Sequence, residues 1–229
     1  MASEYTLCEA SPADAKAIAS LFSLSWTSPF TRLQFSDVDP PTLAADMAPR
    51  IEQHMVKPNI RFIVMRDHET QEVIAVAQWS FPSEEDPEQR KETAEEKAER
   101  DKFNDEVYRN KLPEKSNKDL IMEFTVGLRT LRKGVLKGRK HYLLENLATH
   151  PDHRGKGLAS RLIEWVFPKA DEDDVVVYLD TASDNNAMRL YKRLGFEEKG
   201  SQTIEDLSKY GGEGSETHVA LIRYPKSQS

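Results

Sequence analysis

The hydrophobic and polar positions of the chain repeat with two periods, which together predict a mixed α/β fold. Alternating positions or short apolar runs predict strands over residues 4–9, 61–66, 72–81, 141–149, 175–180, 196–202 and 218–224. Apolar positions three or four residues apart predict helices over residues 11–26, 42–55, 119–135, 158–168 and 184–194. This order predicts one domain over residues 1–229, with a mostly antiparallel first half and a central crossover unit.

The ends of the predicted helices depend on individual residues. Ser11 is the predicted N-cap of the first helix, Asp119 of the third, and either Ser183 or Asp184 of the last. Pro49 is expected to kink or interrupt the second helix, because proline removes a backbone donor. Residues 27–35 are expected to form a loop, and the helix that begins near residue 158 is expected to stop near Pro168.

A charged segment divides the predicted fold. Residues 83–118 are charged nearly throughout, and opposite charges such as Asp105 and Arg109 stand four residues apart, which predicts a solvated helical segment. Residues 119–135 instead carry an apolar stripe that must pack on the domain. We therefore expect an insertion at about residues 83–139 whose second half is docked. The stripe consists of Leu120, Phe124, Leu128, Leu131 and Val135.

Composition excludes several classes of protein. The 229 residues are 38% hydrophobic and 31% charged, with a formal net charge of −7, which disfavours a nucleic-acid-binding role and favours cationic partners. No apolar run approaches the ~18 residues of a membrane span, and the first residues lack a secretory signal pattern. Cys8 is the single cysteine, so an internal disulfide is impossible. A cytoplasmic or nucleocytoplasmic protein is expected.

The sequence HRGKGLA at residues 153–159 places a basic glycine turn between a predicted strand and a predicted helix. Backbone N–H groups and the helix dipole at such a turn suit a phosphate or diphosphate. The alternative is a surface turn that merely contains glycine and basic residues. The turn matches neither the GxxxxGK[ST] phosphate loop nor the GxGxxG dinucleotide pattern.

Two motifs together resemble the GNAT superfamily of acyl-CoA-dependent N-acyltransferases. HRGKGLA resembles the family's Arg/Gln-x-x-Gly-x-Gly/Ala loop, with Arg154, Gly157 and Ala159 at the three defined positions. LYKRLGF, at residues 190–196, resembles the tyrosine-bearing helix that leads into a Gly-Phe strand. The resemblance covers about residues 143–200 and leaves the insertion outside the common core.

The resemblance implies a GNAT-like splayed sheet that binds acetyl-CoA as co-substrate, without a metal. It implies that the pantetheine arm pairs with backbone near Leu147, Ala148 and Thr149. It further implies that the diphosphate lies on the turn formed by Arg154, Gly155, Lys156, Gly157, Leu158 and Ala159. Tyr191 would act as the general acid on the departing thiolate, although its spacing also suits a core aromatic residue.

The resemblance leaves the other site residues less defined. Glu145 is the best candidate for the general base, as the carboxylate of the strand that meets the thioester, although it could also face outward. His218 is a remote second candidate, and His150 and His153 are interpreted as loop residues. Asp184 stands where family members often carry an asparagine that contacts CoA. Either Asp184 serves only as a helix cap, or Asn186 makes that contact in its place.

The predicted reaction is direct attack of an amine on acetyl-CoA in a ternary complex. Trp26, Phe30 and the helix at residues 119–135 are expected to wall the acceptor pocket, and the negative charge favours a small cationic amine. A protein or peptide acceptor stays open, as do a non-catalytic acyl-CoA-binding module, a phosphate-binding enzyme of another class, and the oligomeric state.

Overall fold

The computed structural model describes residues 4–35, 38–82 and 94–228, and the strands of this part form one seven-stranded sheet. The strand order is β1-β2-β3-β4-β5-β7-β6, and every neighbouring pair is antiparallel except β4 and β5. The predicted strands and the β2–β3 hairpin are confirmed. Their bounds are β1 Tyr5–Glu9, β2 Ile60–Asp67, β3 Val73–Ser80, β4 His141–Thr149, β5 Val176–Ala182, β6 Glu197–Ile204 and β7 Glu216–Arg223.

The sheet opens between its two parallel strands. Only three residues of β4 pair with β5, ending with Leu143 opposite Tyr178. Beyond that pair, β4 continues along β3 as far as Thr149, while β5 continues along β7 as far as Ala182. Among the described residues, the facing edges of β4 from Leu144 and of β5 from Leu179 therefore have no strand partner. The predicted splay is present, and it begins inside β4 rather than after it.

Helices cover both faces of the sheet. α6, α7 and α8 bury one face in a core that includes Leu162, Ala170 and Trp79. α1 and α3 bury the other face of β2, β3 and β4, and α5 covers β5 and β7 beside them. The helices are α1 Ala15–Ser25, α2 Pro29–Phe35, α3 Pro40–Met55, α4 Ala94–Asn110, α5 Lys118–Leu136, α6 Leu158–Glu164, α7 Phe167–Glu172 and α8 Met188–Arg193.

Three expectations about helices and proline were wrong. The segment expected as a loop contains α2, because the hydroxyl of Ser28 accepts the Thr31 N–H (3.1 Å) and Pro29 starts the helix. Of the two effects expected of Pro49, a kink or an interruption, the interruption is absent, because α3 continues through Pro49. Pro168 does not stop a helix but lies in the first turn of α7, where a proline needs no N–H partner.

Two predicted N-caps also differ from the structure. Asn117, not Asp119, precedes α5, and the Asp119 carboxylate instead pairs with Arg109 at 2.7 Å. At α8 the side-chain oxygen of Asn185 accepts the Ala187 N–H (2.8 Å), so neither Ser183 nor Asp184 caps the helix. At the first helix, the Ser11 N–H donates to the Asp14 carboxylate (2.8 Å), so the predicted start is confirmed.

The charged segment is helical where it is described. Residues 83–93 of the predicted insertion lie outside the described residues. α4 has mostly exposed side chains and is joined to α5 by ion pairs: Asp105 with Arg129 (2.6 Å) and Asp101 with Lys133 (3.2 Å). Asp105 and Arg109 therefore do not pair with each other as predicted, because each pairs with α5. The docking of α5 is confirmed by buried Leu120 and Leu136.

Candidate active site

The glycine turn follows β4 through a short 3-10 turn at Pro151–His153. Gly155 and Gly157 have φ angles of 77° and 76°, in the left-handed region that costs other residues roughly 1–2 kcal/mol. A Cβ at either position would meet no atom within 4 Å. The backbone conformation, rather than crowding, therefore requires glycine, and the space around the turn is open.

The turn presents unbonded backbone donors. The first backbone bond of α6 runs from the Arg161 N–H to the Gly157 carbonyl (3.3 Å). Within the described chain, the N–H groups of residues 155–160 donate to no other group. Donors at a helix N-terminus attract anions. The residues expected to hold the CoA diphosphate therefore fit that group.

The two basic side chains of the turn have different environments. The Lys156 ammonium donates to the Tyr5 hydroxyl (2.6 Å), which also contacts Nδ1 of His153 (3.1 Å), so Lys156 ties the turn to β1. This hydrogen bond raises the pKa of Lys156. Arg154 is exposed and has no ion-pair partner in the part of the chain that the structure describes. Arg154 is thus the side chain available to a phosphate, while His153 is held in the loop, as predicted for it and for His150.

The last residues of β4, just before the turn, form an edge that faces the opening of the sheet. Leu147, Ala148 and Thr149 pair on one side with β3, and no described strand pairs with their other side. Pantetheine amides could pair with this edge as an added strand would. The fit of the coenzyme thus has two independent parts, the turn and the edge.

Tyr191 lies on α8, in the core on the face of the sheet that α6 covers. Its side chain is 5% exposed and its ring contacts Phe196 edge-on, with centroids 6.1 Å apart. Its hydroxyl has no hydrogen-bond partner among the described residues, and burial raises its pKa to about 12. Tyr191 is therefore a core aromatic residue by its ring, and its hydroxyl is uncommitted.

A β-bulge determines where Glu145 points. Gln78 of β3 is opposite Asn146, and Trp79 is opposite Leu144, so Glu145 has no partner of its own. The extra residue places Glu145 and Asn146 together along the cavity next to α1 and α3. Strict alternation would have sent the two side chains to opposite faces.

Polar neighbours fix the Glu145 carboxylate. Gln78 donates to one oxygen from Nε2 (2.5 Å), and the Ser80 hydroxyl donates to the other. The Asn146 side-chain amide donates to Oε1 of Gln78 (2.9 Å), which fixes the orientation of the Gln78 side-chain amide. Sequence reasoning missed Gln78, Ser80 and Asn146, since their pairing across the bulge is not visible in a single strand.

A cavity of about 90 Å³ lies against this carboxylate, between the sheet, α1 and α3. Trp26 lines it and stacks on Phe22 (5.5 Å) and Phe35 (6.4 Å). Phe30 does not line it but contacts Phe124 (5.0 Å) beneath α5, so the structure separates the two predicted pocket residues. The lining residues are Phe22, Trp26, Met47, Arg50, Ile51, His54, Gln78, Glu145 and Asn146.

The remaining candidates lie near the end of β5. His218 is packed against Phe30 and Phe124, and burial lowers its pKa to about 4, so it is neutral at pH 7. It is not among the residues lining the cavity beside Glu145. The Asn185 side chain is bound to Thr181 and to the Ala187 N–H, whereas that of Asn186 is exposed. Of the two asparagines, Asn186 therefore remains available, among the described residues, for the CoA contact that Asp184 is not expected to make.

Comparison with known proteins identifies the family. Residues 18–196 match the sequence profile described as the Acetyltransferase (GNAT) family. The chain belongs to the GNAT acetyltransferase family. No curated protein is similar enough in sequence to match it. In the described ranges, this GNAT chain has no helix both long and apolar enough to cross a membrane.

Solved structures share the fold of this GNAT chain. Arylalkylamine N-acetyltransferase 2 from Aedes aegypti is 16% identical with a TM-score of 0.64, over 97% of this chain and 99% of that one. An agmatine N-acetyltransferase mutant is 15% identical with a TM-score of 0.62, over 96% and 100%. A histone acetyltransferase HPA2 and related acetyltransferase from Corynebacterium glutamicum is 22% identical with a TM-score of 0.58, over 97% of both chains. The predicted GNAT-like fold is confirmed.

Proposed function

We propose that this GNAT protein transfers the acetyl group of acetyl-CoA to the primary amine of a small molecule. The acceptor is cationic at its reacting end, and attack is direct, within a ternary complex. One observation carries the proposal: the sheet opens at Leu144, with the glycine turn at the mouth of the opening. Tyr191 belongs to the core on one face of the sheet, and Glu145 lines a cavity on the other.

Backbone groups hold the coenzyme in this proposal. The free N–H groups of residues 155–160 and the Arg154 guanidinium bind the diphosphate. The unpaired edge at Leu147–Thr149 binds the pantetheine amides, and Asn186 is placed to add a contact. When bound, the coenzyme supplies an acetyl group activated as a thioester.

Glu145 accepts the proton of the acceptor ammonium. An alkyl amine of pKa ~10.4 loses its proton at pH 7 at a cost of about 4.6 kcal/mol, at ~1.36 kcal/mol per unit. A carboxylate held by Gln78 and Ser80 beside the cavity stabilises the ammonium as it approaches and receives its proton, which frees the nitrogen lone pair for attack.

Tyr191 assists the leaving thiolate. Full proton transfer from a phenol of pKa about 12 to a thiolate of reference pKa ~8.5 is unfavourable by about 5 kcal/mol. The hydroxyl therefore donates a hydrogen bond as negative charge builds on sulfur. The ammonium loses two protons in becoming an amide: one goes to Glu145, and the other neutralises the thiolate, so that CoA leaves as the thiol. An uncommitted hydroxyl suits this role, because no protein acceptor competes for its proton.

An acetyl-CoA thiol-release assay over a panel of amines tests the proposal. Turnover on a small amine that falls strongly in Tyr191→Phe supports the enzyme. CoA binding without turnover on any amine would instead indicate an acyl-CoA-binding module. Turnover only on peptide N-termini or lysine peptides would indicate a protein acetyltransferase.

A further inference from the structure

The acceptor cavity carries charges of both signs. Glu145 lies at the sheet, and Arg50 and His54 line the opposite wall on α3, one turn apart. Apolar side chains, including Phe22, Trp26 and Met47, lie between these groups. An acceptor that fills the cavity thus meets an anion at one end and a cation at the other.

Arg50 has no carboxylate partner among the described residues. Its guanidinium lies over the Tyr108 ring of α4, 5.3 Å from the centroid, a contact that leaves its N–H donors unused. Other partly buried arginines of the chain behave differently: Arg66 pairs with Asp14 (2.7 Å), and Arg223 pairs with Asp171 (2.9 Å).

The charged groups that act on His54, one turn from Arg50 in the cavity wall, are cationic. Burial, and after it the nearby charges of Lys57, Arg50 and Lys111, lowers the pKa of His54 to about 4. His54 is therefore neutral at pH 7, and no acidic group contributes to its shift. An anion at this wall would meet the Arg50 guanidinium, whose N–H donors are unused.

We infer that the acceptor amine carries a carboxylate at its far end, and that Arg50 binds this carboxylate while Glu145 faces the amine. The inference rests on the proposed acetyl transfer and names its substrate class, the ω-amino acids. The overall negative charge of the protein favours the reacting ammonium, whereas the Arg50 guanidinium selects the far end of the acceptor. Planar guanidinium and carboxylate groups suit this contact through paired hydrogen bonds.

Pairs of acceptors that differ only in charge provide the test. 4-Aminobutyric acid is compared with 4-aminobutanamide and with 1,4-diaminobutane by kcat/KM, in the protein and in its variants. We expect the acid to be preferred to the amide by roughly ten- to hundredfold, as for a hydrogen bond to a charged group. The Arg50→Gln variant should lose this preference through KM, and Arg50→Glu should favour the diamine.

Two further variants separate charge from folding. The Arg50→Lys variant should keep part of the preference for the acid. Lys16→Gln removes the same charge as Arg50→Gln, but from the exposed side of α1, and should keep all of the preference. Equal kcat/KM for acid and amide would overturn the inference and leave the proposed function standing. If no amine is acetylated, the proposed function fails. Calorimetry with CoA present then tests the carboxylate site by itself: tighter binding of the acid than of the amide supports the site, and equal binding overturns it.

Discussion

Replacing Glu145 with glutamine removes the proposed base and keeps the side-chain volume. Glutamine can still accept from Gln78 through its oxygen and donate to Ser80 through its amide, so we expect the β-bulge and the fold to persist. The variant therefore changes proton transfer more than structure. A matched control, Ser80→Ala, removes one hydrogen bond to the carboxylate but leaves the base in place.

The size of the loss follows from the protonation of the acceptor. Proton transfer by a positioned group contributes about 10²–10⁴-fold to rate, so kcat/KM at pH 7 should fall by at least about 10² in Glu145→Gln. As the pH rises toward the amine pKa of ~10.4, solvent supplies the free amine and the variant should gain about tenfold per unit. The wild-type to variant ratio should therefore shrink steadily with pH.

The measurement is kcat/KM for the best amine between pH 6.5 and 9.5, with circular dichroism to verify folding. Ser80→Ala should lose less activity than Glu145→Gln and show the pH profile of the wild type. A wild-type to Glu145→Gln ratio that stays constant over this range would refute the role of Glu145 as a base. A ratio near one at pH 7 would remove Glu145 from the mechanism altogether.

Three other predictions follow from the structure. Tyr191→Phe should lower kcat about 10²-fold with little change in the KM for acetyl-CoA, because the ring packing is kept; an unchanged kcat would refute the acid role. Gly157→Ala should lower the free energy of unfolding in urea by about 1 kcal/mol and raise the KM for acetyl-CoA, because the φ of Gly157 is +76°. The control Gly134→Ala, at a position in open space on α5, should instead raise the free energy of unfolding by up to about 1 kcal/mol. Arg223 hydrogen-bonds the Asp171 carboxylate and lowers its pKa, so Asp171→Asn should cost about 2 kcal/mol at pH 7. This pair stabilises the fold above the unfolded pKa of ~3.9, so the cost should vanish as pH falls through the folded pKa; a cost that persists in acid would indicate lost packing instead.

The strands and the glycine turn could be predicted from sequence because their signals are local. Apolar runs bounded by turn residues define the strands, and two glycines between a strand and a helix define the turn. The parallel strand pair was predicted from the order of the elements, as a crossover unit, whereas the opening of the sheet beyond Leu143 was predicted only through the family resemblance. It depends on where two distant segments meet, which no local pattern reports.

The bulge at Glu145 shows why the site could be predicted only in part. Its register depends on β3, more than sixty residues earlier, so alternation within β4 could not reveal which face Glu145 shares with Asn146. α2 was missed although Ser28 and Pro29 carried a usable start signal, because the helix is only seven residues long. Pro49 was expected to kink or interrupt α3, and the interruption is absent because packing of the docked helix overrides the preference of proline.

Calorimetric titration tests the central claim most directly. Acetylation by this site requires that the free amides of residues 155–160 hold the coenzyme diphosphate beside the open edge of β4. Titration of the protein with CoA should show saturable binding, with much weaker binding of pantetheine, which lacks the diphosphate, and of ATP, which lacks the arm. No heat with CoA, or equal affinity for ATP, would contradict the account.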